Sequence, residues 1–560
     1  MRKLINISIA AFLVLLATSC EKETNDINGT LIENDINTTT TWTSGNTYII
    51  SGTINVDDAV LTIEPGTTIK FESGARLDVG YYGNATLIAN GTAEKPITFT
   101  SNAASPSAGA WEGITFWSHS LNSSMTYCNV EYAGKTSEGA VNLRSTSIVF
   151  SNNQIKYAKE FGIELDYESS FDEMNSNTFS NCGSHPVRLC AAYMHTIGTD
   201  NTFNCADGYG VNVISGDATG IITWKKLDKP YYIEGEVDVN NATLTIEPGA
   251  IFKFNTDGSL HFGYYNSTTL IANGTSTENI VFTSSASAPT AGAWRGITLW
   301  GNTLTNTSIS YCDVNYAGKS ADGAFIVKET GIALNNCNIH NSSSAGIVMN
   351  DGAYFTSMDN NTIENIATHA LEIDADRVGT IGSDNTFTCN NGYGINVTDG
   401  DVNIVSTWKK QTVPYFINVD LDVEANLTIQ PGAILMFGAD GQMDIGYYNN
   451  TQVTAVGTSS EPIVFTSAAT SPAAGAWKGI LIWENNSPNT RFDYCEFNYT
   501  GKDVYESSAA IWAYNTSFTV TNSKFQYSAG YGIFLDSGST VTNTGNTFTG
   551  CALGEVGQSD

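Results

Sequence analysis

Leu61-Thr62-Ile63-Glu64-Pro65-Gly66 reads LTIEPG, the same six letters return from Leu244 to Gly249, and LTIQPG stands from Leu427 to Gly432. Pro65, Pro248 and Pro431 are therefore spaced by 183 residues. Tyr81-Tyr82, Tyr264-Tyr265 and Tyr447-Tyr448 keep that interval, and so do Trp111, Trp294 and Trp477, each inside Gly-Ala-Trp. A fixed long period marks a repeat architecture before any secondary structure is assigned, because each copy buries its apolar face only against its neighbours. Trp42, Trp224 and Trp408 open the three units, the last two within Thr-Trp-Lys-Lys.

A shorter period lies inside each unit. Cys128-Asn129-Val130, Asn153-Gln154-Ile155, Asn177-Thr178-Phe179 and Asn201-Thr202-Phe203 follow one another in steps of 25, 24 and 24 residues. Unit two repeats the series with Cys312/Val314, Cys337/Ile339, Asn361/Ile363 and Asn385/Phe387, and Ile163, Val187 and Val211 form a second one. Short β-rich runs separated by Gly, Asn and Pro, without a helical period, exclude a bundle or a βαβ protein. The expected fold is all-β, a parallel β-helix (solenoid) adding one turn per 24–26 residues, in three tandem units over 42–223, 224–407 and 408–560. By analogy with its siblings the third unit is expected to be cut short. Equivalent residues should form ladders, with Cys and Asn sharing one inward or turn-facing column. At ~4.8 Å per turn the rod should be about 90–100 Å long.

The chain resembles right-handed parallel β-helix proteins of the pectate-lyase-like group, and more closely surface lipoproteins built from such repeats. The resemblance rests on Thr62-Ile63-Glu64-Pro65-Gly66, Leu87-Ile88-Ala89-Asn90-Gly91-Thr92, Pro96-Ile97-Thr98-Phe99-Thr100-Ser101 and Trp111-Glu112-Gly113-Ile114, with their copies. It runs from Trp42 to the C-terminus and implies the fold. It implies little about function, since the group includes lyases, hydrolases, adhesins and passive scaffolds.

Arg2 and Lys3, an apolar run from Leu4 to Leu16 and then Ala17-Thr18-Ser19-Cys20 have the layout of a lipoprotein signal peptide over 1–19, with Cys20 as the lipidated residue. Residues 20–41, rich in Thr, Asn and Asp, read as a solvated tether. The expectation is an exported chain held by lipid at the outer membrane or cell surface of a Gram-negative bacterium. A net charge of −31, from 25 Lys+Arg against 56 Asp+Glu, disfavours nucleic acid and anionic membrane surfaces as partners. Membrane contact is then expected only through the N-terminal lipid. The sequence leaves the oligomeric state open.

No CxxC pair or His-rich spacing suggests zinc, and no metal site or cofactor is expected. Calcium suits the acidic outer face in general, but no aspartate spacing identifies a site. Cys312 and Cys337 fall on adjacent turns of one ladder and are placed to bridge; the default reading of the cysteines is buried thiols. Gly134-Lys135-Thr136 and Gly318-Lys319-Ser320 look like the tail of a phosphate loop but lack its first glycine, and read as turns.

For catalysis a β-helix needs acid and base groups on its outer face. The best cluster is Glu164 and Asp166 on one strand, Arg188 a turn later and His185 nearby. Units two and three place Val348 and Phe534 where unit one has Glu164. This cluster would serve a polysaccharide lyase or glycoside hydrolase. The competing expectation is non-enzymatic binding of an extracellular polysaccharide or another cell-surface component. Alternation along Ile114-Thr115-Phe116-Trp117 turns Trp117 outward, as with Trp300 and Trp483, while Tyr81, Tyr82, Tyr264, Tyr265, Tyr447 and Tyr448 sit among Gly and Asn. Such rings can stack on sugar C–H faces, and three copies would add avidity.

Overall fold

The computed structural model describes residues 29–136, 138–205, 209–319, 323–390, 394–502 and 508–559. They form a parallel β-solenoid of about 21 turns, almost without helix. Cys20 and the expected signal peptide lie outside the described residues. Part of the expected tether does not: Thr30–Ile32 pairs in parallel with Thr47–Ile50, and Ile36 bridges to Val56. The solenoid therefore begins before Trp42, because Ile32, Ile36 and Trp42 already supply alternating apolar side chains for its first turn.

Each turn has three faces. In unit one the first face is the column Tyr48, Ile69, Phe99, Val130, Ile155, Phe179, Phe203, paired strand on strand in register. Ile54, Leu77, Ile114, Val141, Ile163 and Val187 form the second. Ile63, Ala89, Met125 and Phe150 run up the third. These side chains are buried and pack into one continuous core, with Tyr48 partly buried against it, which is where the stability of the solenoid resides.

The corner between third and first faces shows why Asn recurs. Asn152 and Asn336 turn the chain there with φ of 59° and 56°, and Tyr127, Tyr311 and Tyr494 do so at 48–50°, in the left-handed region that Asn tolerates best. The next residue carries the ladder. Asn153 Oδ1 accepts the Cys128 N–H at 2.9 Å, Asn177 Oδ1 accepts the Asn153 N–H at 2.9 Å, and Asn201 Oδ1 accepts the Asn177 N–H at 3.0 Å. Their amide groups donate to buried carbonyls of Met125, Phe150 and Met174. Cys337, Asn361 and Asn385 repeat the pattern. The column expected from the alternation of Cys and Asn is thus an inward ladder that satisfies corner backbone groups lacking strand partners. Among the described residues the buried cysteines form no disulfide; Cys312 sits beside Cys337, and Cys182 beside Cys205 forms a second such pair.

The units do not stack face upon equivalent face. Climbing seven turns from Ile54 through Leu77, Ile114, Val141, Ile163, Val187 and Val211 leads to Tyr231. Tyr231 is the repeat equivalent of Tyr48, a first-face residue, and the equivalent of Ile54 is Val237, one strand further on. A unit therefore occupies seven turns and roughly a third, and the next begins one face around. The shift is made where the 3-10 helix Ala191–Thr196 replaces a third-face strand and the long strand Gly216–Trp224 spans two faces, pairing with Glu236–Ile246. Ala375–Thr380 recurs before the second junction, where Ile395 carries Tyr415.

Candidate functional site

Each unit carries an edge-to-face trio of rings at the corner leaving its second face. Tyr81 meets Trp117 at 4.8 Å and Tyr82 at 4.5 Å between centroids. Tyr264 meets Trp300 at 4.7 Å and Tyr265 at 4.5 Å, and Tyr447 meets Trp483 at 4.9 Å and Tyr448 at 4.5 Å. The outer tyrosines are the more exposed: 76% for Tyr82, 70% for Tyr265 and 74% for Tyr448. Trp117, Trp300 and Trp483 point away from the core as alternation requires, yet lie half-buried against their tyrosines. Of the ring candidates named from the sequence, the tryptophans therefore present less surface than the outer tyrosines.

The corner is rigid for local reasons. Gly80 has φ of 72°, and a Cβ there would stand 2.3 Å from the Ser120 nitrogen; Gly263 and Gly446 are equally confined. Below, Asp57 Oδ1 accepts the N–H groups of Tyr82 and Gly83 at 2.9 and 3.0 Å. Asn240 accepts from Tyr265 at 2.9 Å, and Glu424 from Tyr448 at 3.1 Å and Asn449 at 2.6 Å. Above, Asn302 and Asn485 donate to the Tyr264 and Tyr447 carbonyls. A flat ring held on a clamped turn loses little entropy on contact with a ligand.

Because each unit is turned by one face, the three trios point in three directions around the rod, roughly 35 Å apart along it at ~4.8 Å per turn. They do not line one straight groove.

The sequence-predicted catalytic cluster is only partly assembled. Glu164 stacks on Arg188 in register, with Arg188 Nη1 2.8 Å and Arg144 Nη2 3.1 Å from its two oxygens. Arg188 also reaches Glu234 at 3.6 Å and lies over the Phe161 ring. Asp166 holds a turn instead, accepting the Ser145 N–H at 3.0 Å and the Ser169 hydroxyl at 2.6 Å. At the equivalent outer positions of the other units, Val348 packs with Ile326 and Ala345, and Phe534 with Leu481 and Trp512.

One arrangement lies beyond the sites read from the sequence. His185, Tyr209 and Tyr232 cluster at 4.5–5.6 Å across the first junction, where Tyr232 stacks directly on Asn212, and with Glu234 and Lys253 they line a cleft of about 270 Å³. Burial pushes the His185 imidazole below its usual pKa. His369 over Phe416, at 5.8 Å, echoes it at the second junction. The signal was the recurrence of His185 as His369 at an interval of 184 residues.

A family model described as the pectate-lyase like beta helix domain matches residues 34–175, 216–327 and 400–515. The chain belongs to this family of right-handed parallel β-helix repeat proteins. No curated protein and no solved structure matches it.

Proposed function

We propose that this protein is an exported, lipid-anchored surface rod that binds extracellular glycan, without cleaving it, through the tyrosine pairs at its three corners. The observation that carries this reading is the threefold recurrence of an exposed tyrosine held edge-to-face on a clamped turn. Exposed rings beside Asn266, Asn449 and Asn450 offer sugars a stacking face and amide hydrogen bonds. The engagement of Glu164 by two guanidinium groups and of Asp166 by a turn supports a structural rather than catalytic role for that cluster. Lipidation at Cys20 anchors the base of the rod, and the acidic surface keeps it away from anionic lipid.

A glycan array probed with the intact chain and with the triple variant Tyr82→Ala, Tyr265→Ala, Tyr448→Ala tests the binding. Glycan signals should fall at least tenfold in the variant, and equal signals would reject the sites. Incubation with polyuronate and neutral glycans should release neither unsaturated products nor reducing ends; product formation abolished by Arg188→Ala would restore the lyase or hydrolase reading. Detergent partitioning of Cys20→Ala against the parent chain tests the anchor, and an unchanged distribution would remove it.

A further inference from the structure

The outer surface of the second face carries, at the start of every unit, a two-by-two patch of side chains beneath the tryptophan. In unit one it is Thr53, Asn55, Arg76 and Asp78; in unit two Glu236, Asp238, Ser259 and His261; in unit three Asp420, Asp422, Gln442 and Asp444. The patches of units one and three each place a donor beside one carboxylate. Arg76 Nη2 lies 2.9 Å from Asp78, and Asp444 accepts from Gln442 Nε2 at 2.6 Å and from Trp483 Nε1 at 2.7 Å.

Unit two has neither the arginine nor the glutamine. Ser259 stands where unit one has the arginine, stacked on Glu236, while His261 stacks on Asp238. His261 Nδ1 lies 3.4 Å from Asp238 Oδ1 and 3.6 Å from Glu236 Oε1, and one ligand atom from each of the three falls within 4.8 Å of the others. Donor atoms around a tetrahedral zinc ion, each about 2.0–2.1 Å from the metal, are about 3.3–3.4 Å apart. An independent observation marks the place: Ser259 is 1% exposed, its hydroxyl has no hydrogen-bond partner, and it lines a cleft of about 180 Å³ with His261, Gly296, Thr298 and Trp300. The nearby cations are engaged elsewhere, Lys328 over the Trp300 ring at 4.4 Å and Arg295 towards Asp257 at 3.7 Å.

We propose that Glu236, Asp238 and His261 bind one divalent transition-metal ion, with the Ser259 hydroxyl beside it and the open coordination positions facing the Trp300 cleft. One imidazole with two carboxylates selects Zn²⁺ or Mn²⁺; Ca²⁺ would require a larger set of oxygens. The ion does in unit two what Arg76 does in unit one. The site is independent of the glycan reading, since its ligands are none of the tyrosines.

The test is calorimetric titration of the chelator-stripped full chain with ZnCl2, MnCl2 and CaCl2. One transition-metal ion should bind per chain, and His261→Ala should weaken binding at least tenfold. Ser259→Arg, which copies unit one, should do the same while leaving the circular dichroism spectrum unchanged, so the test survives a folding defect in the first variant. Absence of stoichiometric binding would overturn the site. So would binding indifferent to both substitutions, or CaCl2 binding more tightly than ZnCl2.

Discussion

Val211 and Tyr231 are paired partners on adjacent turns, although the repeat makes them members of different faces. That one contact sets how all three units are displayed. Tyr231 is fully buried, its ring lies 5.2 Å from Phe252, and its hydroxyl donates to the Lys225 carbonyl at 2.9 Å. Tyr231→Ala opens a void at the joint and should cost about 3–5 kcal/mol, as for other buried aromatic truncations. Solenoid stability is a sum of neighbour terms. The thermal melt should therefore split into two transitions, and a single unshifted transition would contradict a joint of this kind.

The asparagine ladder should behave as a chain of shared loads. Asn177 accepts one buried N–H and donates to the Phe150 carbonyl and to Asn201. Asn177→Ala strands these groups and should destabilise by about 2–4 kcal/mol, read from chemical denaturation. Asn102→Ala, whose amide bonds only an exposed Glu72, should cost less than about 0.5 kcal/mol.

Asp401, Asp422 and Asp444 stack in register at the start of unit three. Burial and then the charge of Asp444 raise the Asp422 carboxyl from 3.8 to about 6. Between those values the folded chain keeps a proton that the unfolded chain has released, so stability is highest below this window and falls as pH rises through it. Asp422 is about half-exposed, which screens the effect to about 1 kcal/mol. Asp422→Asn should raise the melting temperature at neutral pH and leave it unchanged near pH 4; a lower melting temperature at neutral pH would refute the repulsion.

Glu164 is held between Arg144 and Arg188 and is largely buried. Glu164→Ala should cost about 2–3 kcal/mol by leaving two guanidinium groups without their shared carboxylate. Double substitution with Arg188→Ala should recover part of that loss in denaturant melts. Strict additivity of the two would show that they do not act on each other.

The repeat made the fold legible because parallel stacking maps sequence period onto spatial column. Pro65, Pro248 and Pro431 mark the units, and Cys128, Asn153, Asn177 and Asn201 mark the turns. The interval of 183 residues does not by itself say how one unit is turned against the next, and the pairing of Val211 with Tyr231 shows the extra third of a turn. Alternation placed Trp117 outward but could not show that Tyr81 covers it, since the two rings are 36 positions apart in the chain. Glu236, Asp238 and His261 escaped notice because ligands brought together by a solenoid turn have no short spacing. Asp166, two residues from Glu164, looked like its partner yet turns to Ser145, because the strand ends at Leu165.

If three tyrosine corners, each turned by one face, bind glycan independently, titration of a short oligosaccharide drawn from the array hits measures it directly. Three equivalent sites are expected in the parent chain, two in Tyr82→Ala, and none in the triple variant, with affinity per site unchanged until the last is lost. A single site in the parent chain, or three sites surviving in the triple variant, would contradict this display.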